Sequence, residues 1–356
     1  MTDFDTIPLG NIPFTWTNEF GEFTLLNGVG GDVAIKTVFN QTGEITLFDL
    51  GDLKNMTYAM LLSVRQAYIS HAHFDHIIGF DSLLRATFPL NRPLTFAGPK
   101  GITQIMACRM KGYTWNLAAS DQVDHTIREI NDDGSVCSFH TTNTNNFEPV
   151  SIENEPLWTN ALNPDPFAGL PVASVGRITG GLRVFAVCLD HAGTPSIAYC
   201  VVSDAKLKFK VELLASIGLK PGAWVGAFQK DYLNGDLDKE YPFADRVRTV
   251  RELGDQLLEV KPGLKFCYLT DFGYTPENLC RVRPFIADAD FLGIESNYKA
   301  DQEDLAEENG HLTTRQAAQL ITESGAQAWQ AFHFSNAFQD EPETLLTEIR
   351  EFVGKK

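Results

Sequence analysis

The sequence predicts an α/β sandwich, and two observations carry that reading. Short apolar runs with strand character recur from one end of the chain to the other, and amphipathic segments fill the intervals between them. A third observation marks where the chemistry lies. The stretch YISHAHFDHIIGFDSLL at 68–84 places three of the chain's eight histidines and one aspartate within the six residues HAHFDH.

In chain order, the runs predicted as buried strands are EITLFDLG (44–51), QAYIS (66–70), RPLTFAG (92–98), LRVFAVCLDH (182–191), SIAYCVVSD (196–204), LKFCYLTDFG (264–273), DFLGIESNY (290–298) and AWQAFHFS (328–335). Each is short and rich in β-branched or aromatic residues, as a strand covered on both faces requires. Helices are predicted over His76–Phe88, Gly101–Gly112, Leu207–Gly218, Phe243–Val260, Thr314–Ser324 and Pro342–Val353. The clearest is TTRQAAQLITESG: Thr313 can cap it, Ala317, Leu320 and Ile321 share a face, and Gly325 supplies a left-handed stop. The turn-rich stretch 121–181, with DDG, TTNTNN, NPDPF and ITGG, reads as an insertion or lid.

At 356 residues and 44% hydrophobic content the chain can bury a full core. It opens without a basic and apolar leader, and no run approaches the roughly 18 to 20 apolar residues of a membrane helix, so it reads as soluble and cytoplasmic. The six cysteines form no CxxC pair and read as buried free thiols. His125 and His140 lack a partner motif and read as surface residues, and DDG (132–134) reads as a turn. A net charge of −17 repels polyanions at long range, which handicaps a nucleic-acid substrate unless one face is locally basic. The lysines of KLKFK (Lys206, Lys208, Lys210), with Lys220 and Lys230, form the one such run.

Neutral imidazoles and carboxylates suit zinc, and a tight HxHxDH turn presents both. His71 and His73 point the same way along an extended turn and can share one ion, whereas Asp75 and His76 face a second. A pair of ions points to hydrolysis, because together they acidify water and polarise an ester or phosphoryl oxygen. Such a centre needs ligands from later strand ends. His191, Asp271 and His333 each follow an apolar strand directly. The expected set is therefore His71, His73 and His191 on one metal, Asp75, His76 and His333 on the other, and Asp271 bridging. The ions would be zinc, with manganese or iron accepted by the same donors.

These residues, with LFDLG (47–51), RPLTFAGPKGI (92–102), DHAGTPSIAYCVV (190–202), YLTDFGYTPENL (268–279), ADFLGIESNY (289–298) and GHLTTRQAAQLITESGAQAWQAFHFS (310–335), resemble the metallo-β-lactamase fold superfamily, and within it the ribonuclease Z group. The resemblance implies a four-layer αββα sandwich with inserted segments, classed α/β or, in some schemes, α+β, as one domain over 1–356. VELLASIGLKPGAWVGAFQKDYLNGD (211–236) is similar to the segment leading to that group's tRNA-gripping arm, which implies an arm-like excursion over 205–242. It further implies a dinuclear zinc phosphodiesterase acting as a tRNA 3'-end endonuclease, and a homodimer in which one subunit's arm reaches the other's site. Asp75 and His311 would be catalytic, and Asp49 and Glu295 would sit behind the ligands and fix their imidazoles. Some positions depart from the group's pattern: Ile294 stands where it has a histidine, HLT follows its histidine-serine-threonine motif only at His311, NAF (336–338) replaces an arginine-bearing stretch, and its N-terminal arginine loop is not evident around NGVGGD. Two alternatives stay open: a hydrolase of the same fold acting on a cyclic nucleotide, another small phosphodiester or a lactone, and a binding module that keeps only the fold.

Overall fold

A computed structural model describes residues 12–18, 21–40, 43–154, 159, 162–179, 181–243, 245–338 and 340–354. They divide into two compact units, the first drawn from 1–155, 169–202 and 265–356, the second from 156–168 and 203–264.

The first unit is a four-layer αββα sandwich. One sheet has nine strands in sequential order, from Phe14–Thr17 to Val150–Ile152, with parallel pairing confined to its middle, from Ile45–Phe48 through Val64–Tyr68 and Leu94–Pro99 to Asp124–Ile130. The other has six: Ala173–Ile178, Leu182–His191, Thr194–Ser203, Lys265–Leu269, Phe291–Glu295 and Ala328–Phe332, the last three parallel. Aromatic rings fill the space between the sheets. Phe23 stacks on Phe266 at 4.8 Å, Phe48 meets Phe266 at 5.3 Å, and Tyr68 meets Tyr199 at 5.3 Å. Each buried ring contributes about 1.5–3 kcal/mol by leaving water. The Tyr199 hydroxyl crosses the layer to donate to the Ile69 carbonyl at 2.8 Å, so burial leaves no polar orphan there. Helices Phe80–Thr87 and Ile102–Lys111 cover the first sheet through Leu83, Leu84 and Met106, and Pro276–Ile286 and Thr314–Ser324 cover the second.

All eight predicted strands form, and the predicted helices at 314–324 and 342–353 take those bounds. Thr313 caps the former in a reciprocal capping box with Gln316. The stretch 121–181 differs from its reading as irregular chain. It contributes the strands Asp124–Ile130, Val136–Thr142, Val150–Ile152 and Ala173–Ile178. Polar residues are interspersed through them, so they lack the continuous apolar run that betrays a buried strand. DDG does turn the hairpin between the first two, with Gly134 at φ +82°.

The second unit has its own small core of Leu214, Leu219, Phe228, Val250, Leu253, Leu257 and Leu258. The excursion expected over 205–242 lies within it, and the unit continues to Leu264. Two helix predictions fail here. KLKF is a strand, Lys206–Phe209, because it pairs antiparallel with Leu258–Lys261. The helix expected over 243–260 shrinks to Val250–Leu257, because Thr249 caps it and the preceding Val247–Thr249 pairs with Glu240–Pro242. Helix Trp224–Asn234 was not anticipated. Among the described residues, no helix is long and apolar enough to cross a membrane.

Candidate metal centre

The residues of the expected site lie at or just beyond strand ends, in loops, or, for Asp75 and His76, in the short helix Phe74–Ile77 of the first unit. HAHFDH follows Val64–Tyr68, His191 closes Leu182–His191, Asp271 follows Lys265–Leu269, and His333 follows Ala328–Phe332. Asp49, Asp271 and His333 have positive φ, at 58°, 36° and 60°. Non-glycine residues occupy that region at a cost, which is tolerated where the turn must aim a side chain. The metal loop is pinned from below: the Leu50 amide donates to the His76 carbonyl and the Gly79 amide to the Leu50 carbonyl, at 2.8 and 2.7 Å. A Cβ on Gly79 would stand 2.2 Å from the Gly51 carbonyl, so this approach requires glycine.

Asp49 lies fully buried beneath the loop. Its carboxylate accepts from the Ser70 amide at 2.6 Å, the Ser70 hydroxyl at 2.7 Å, the Tyr268 hydroxyl at 2.5 Å and His76 Nδ1 at 2.8 Å. His71 Nδ1 lies 3.0 Å from the same Ser70 oxygen, and His191 Nδ1 lies 2.9 Å from the Gly310 carbonyl oxygen. Three imidazoles thus carry a proton on Nδ1 and turn Nε2 inward, the arrangement typical of metal-binding histidines. His71 Nε2 and His76 Nε2 are buried and make no hydrogen bond.

These nitrogens converge on Asp271. One carboxylate oxygen stands 3.6 Å from His71 Nε2, 3.8 Å from His191 Nε2 and 3.3 Å from His76 Nε2, while the other lies 2.8 Å from His333 Nδ1. Asp75 lies 3.4 Å from His76 Nε2 and 3.3 Å from His333 Nε2. Three overlapping donor groups result: His71, His73, His191 and Asp271; beside them Asp75, His76 and His333; and Asp271 and His333 again with Glu295 and His311. The donor set fits divalent ions.

Electrostatics point the same way. Burial, reinforced by the charge of His76, pushes His71 down to about 2, which keeps it neutral. Burial also opposes protonation of His76 and His333, yet Asp271, with Asp49 beside the first and Asp75 beside the second, outweighs it; His76 is raised well above its ordinary value and His333 to about 10. Asp75 and Asp271 are held far below the carboxylate range by the same imidazoles, against their burial. The pocket therefore places negative charge where a cation can meet it.

Glu295 is fully buried, accepts from the Phe272 amide at 3.0 Å and faces His311 Nδ1 at 3.1 Å. Burial resists the His311 charge, but Glu295 raises its pKa. The His311 ring lies 4.8 Å from that of His191, inside the same cavity of about 380 Å³. Ile294 is buried in the core. The sequence reading missed Asp32 and Asn297, which also line the cavity, and Tyr268 and Ser70, which hold Asp49. Only the GGD turn hinted at the first. Among its described lining residues the cavity contains no lysine or arginine. His125, expected at the surface, is 2% exposed and packs its ring 5.4 Å from Phe96; His140 stays half exposed beside Asp124 at 2.6 Å. Three of the six free cysteines, Cys108, Cys137 and Cys280, are exposed rather than buried.

No family model matches the chain. Its sequence is, however, 31% identical over 272 residues to a ribonuclease Z of Deinococcus radiodurans, covering 76% of each. The chain belongs to the ribonuclease Z family. Ribonuclease Z of Kineococcus radiotolerans is 28% identical over 88% of this chain and 81% of its own, and that of Clostridium tetani 27% over 94% of both. Among solved structures, human tRNase Z, short form, superposes with a TM-score of 0.50 at 18% identity, covering 88% of this chain and 92% of its own. The Bacillus subtilis metallo-β-lactamase fold protein YhfI gives 0.51 at 13%, covering 93% and 91%. The fold is that of the metallo-β-lactamases, and as a ribonuclease Z family member the chain is a metal-dependent hydrolase.

Proposed function

We propose that the chain is a dinuclear zinc phosphodiesterase that cleaves precursor tRNA at its 3' end. The observation that carries this reading is the Asp271 carboxylate, which stands between the two histidine groups: one oxygen faces His71, His191 and His76 Nε2 together, and the other faces His333 Nδ1. His71, His73 and His191 would hold one ion, Asp75, His76 and His333 the other, and Asp271 would join them. When bound, two such ions supply an acidified water and polarise the phosphoryl oxygens.

The chain's own residues do the rest. Asp49, Ser70 and the Gly310 carbonyl hold the imidazole tautomers, so the ligand atoms need no rearrangement. Asp75, half exposed and firmly ionised, accepts a hydrogen bond from the attacking water and orients it. His311, whose protonated form the Glu295 carboxylate favours, donates its Nε2 proton to the leaving oxygen. With no lysine or arginine among the cavity's described lining residues, charge on the phosphate is met by the bound ions and His311. The family resemblance supports a homodimer in the cytoplasm, with segment 205–242 of one copy reaching the partner's centre.

One observation favours a smaller phosphodiester instead: among its described lining residues the cavity offers a polyanion no lysine or arginine, and the chain carries a charge of −17. Assaying precursor tRNA beside bis-p-nitrophenyl phosphate at low salt decides between them. Cleavage of the RNA to a discrete 3' product is expected, and cleavage of the small ester alone would overturn the tRNA reading.

A further inference from the structure

The helix that follows the metal loop presents an exposed stripe that leads away from the centre. Phe74 stands between His73 and Asp75, yet its ring is 84% exposed. A phenyl group held in water beside a catalytic centre contributes nothing to the core, and such exposure marks a contact surface. Ile78, four residues on, is 44% exposed, and Ser82 and Arg85 are also exposed. The backbone stays right-handed helical through Ile78 (φ −58°, ψ −30°) and Gly79 (φ −75°, ψ −7°), so the helices Phe74–Ile77 and Phe80–Thr87 run on with little break. Residues spaced by three or four then share one face. The intervening positions, His76, Ile77, Phe80, Leu83 and Leu84, are buried, which confirms that the stripe is the outward face.

At its far end the stripe enters a cavity of about 380 Å³, lined by Ser82 and Arg85 with Tyr113 and Trp115. The two rings meet edge to face at 6.3 Å, and Tyr113 is 48% exposed. Arg85 makes no ion pair or hydrogen bond among the described residues, whereas Arg109 nearby is committed to Asp81 at 2.7 Å. An uncommitted guanidinium beside one exposed and one partly buried ring is the chemistry that grips a nucleic-acid single strand: rings stack bases and the cation meets phosphate. From Phe74 to Ser82 the helix rises about 12 Å, room for three or four nucleotides stacked at about 3.4 Å.

We infer that single-stranded RNA next to the scissile phosphate runs along this stripe, with one base stacked on Phe74, another against Tyr113 and Trp115, and a phosphate on Arg85. The inference rests on the ribonuclease reading above for its occupant, and on continuity with the metal centre for its path. The test is fluorescence anisotropy of a fluorescein-labelled RNA hexamer of adenylates with the zinc-loaded enzyme and its Phe74→Ala, Tyr113→Ala and Arg85→Ala variants. Loss of one stacking ring is expected to weaken binding by about 5- to 100-fold, and loss of Arg85 to flatten the salt dependence by about one phosphate contact. Tyr113 and Arg85 lie outside the metal loop, so they carry the test if Phe74→Ala disturbs zinc content or thermal melting. Wild-type affinity in the Tyr113 and Arg85 variants, or failure of the parent enzyme to bind the hexamer, would overturn the proposal. Precursor tRNA cleavage is scored separately: an enzyme that cleaves it while the variants bind normally keeps the ribonuclease reading and loses this one. An enzyme that binds through the stripe but cleaves no RNA loses only the former.

Discussion

Replacing Asp49 by Asn tests how the site is held, because the change keeps the side chain's shape and removes its charge. In the parent chain the carboxylate is acceptor only, and it receives four donors: the Ser70 amide, two hydroxyls and His76 Nδ1. An Asn amide can accept through one oxygen, and its NH2 group must face the rest. The Ser70 amide bonds one carboxylate oxygen, and both hydroxyls and His76 Nδ1 bond the other. With its NH2 turned to the Ser70 amide the Asn sets two donors against each other; turned the other way it faces His76, which can meet it only by moving its proton to Nε2, the atom that stands 3.3 Å from Asp271 and 3.4 Å from Asp75, where a metal would bind. Loss of such an orienting partner costs about 10- to 100-fold in metal affinity or activity. Each buried donor left unpaired destabilises the fold by a further 1–3 kcal/mol or so. The assay is chelator competition for zinc beside kcat on bis-p-nitrophenyl phosphate. Wild-type zinc affinity and wild-type kcat in a folded Asp49→Asn protein would refute the tautomer argument.

Three further outcomes follow from the geometry. Glu295→Gln removes the charge that favours protonated His311, so kcat on the phosphodiester should fall by roughly 10- to 100-fold with KM little changed; an unaltered kcat would remove His311 from the chemistry. Buried His125 is driven down to about 4 from its ordinary 6.5 by burial, so the unfolded chain takes up the proton first as pH falls between those values. Stability is complete above that window and drops by up to roughly 3 kcal/mol across it; His125→Leu should melt less acid-sensitively than the parent between pH 7 and 4.5, and equal acid sensitivity would refute this. Gly79→Ala drives a Cβ into the Gly51 carbonyl and the Leu53 side chain, so it should lower zinc occupancy and Tm together, by several degrees at least for a cost of a few kcal/mol. An alanine variant with parental Tm would show that the loop is not pinned there.

The centre was legible because metal chemistry restricts which residues can serve and strand ends restrict where they can stand. HAHFDH announces itself, and His191, Asp271 and His333 each end a continuous apolar run that only a strand covered on both faces explains. The residues that were hidden are those whose role depends on neighbours far away in the chain. Tyr268 looks like one more apolar strand residue until its hydroxyl meets Asp49 across 219 positions. His125 looked solvent-exposed because nothing in DHTIREI says which face of a seven-residue strand turns inward. In the second unit, KLKF carried charge at a spacing that fits both periods, and only its pairing with Leu258–Lys261 chose the strand. The strands of 121–181 were lost among turn residues that join hairpins rather than interrupt order.

The most direct test of the account is elemental analysis of the purified protein beside its Asp271→Ala variant, with phosphodiester hydrolysis measured on the same samples. Two equivalents of divalent metal per chain are expected in the parent. One or fewer, with hydrolysis lost, are expected when the carboxylate between the two histidine groups is gone. Less than one equivalent in the parent, or full occupancy and full hydrolysis in the variant, would contradict a two-metal centre joined by Asp271.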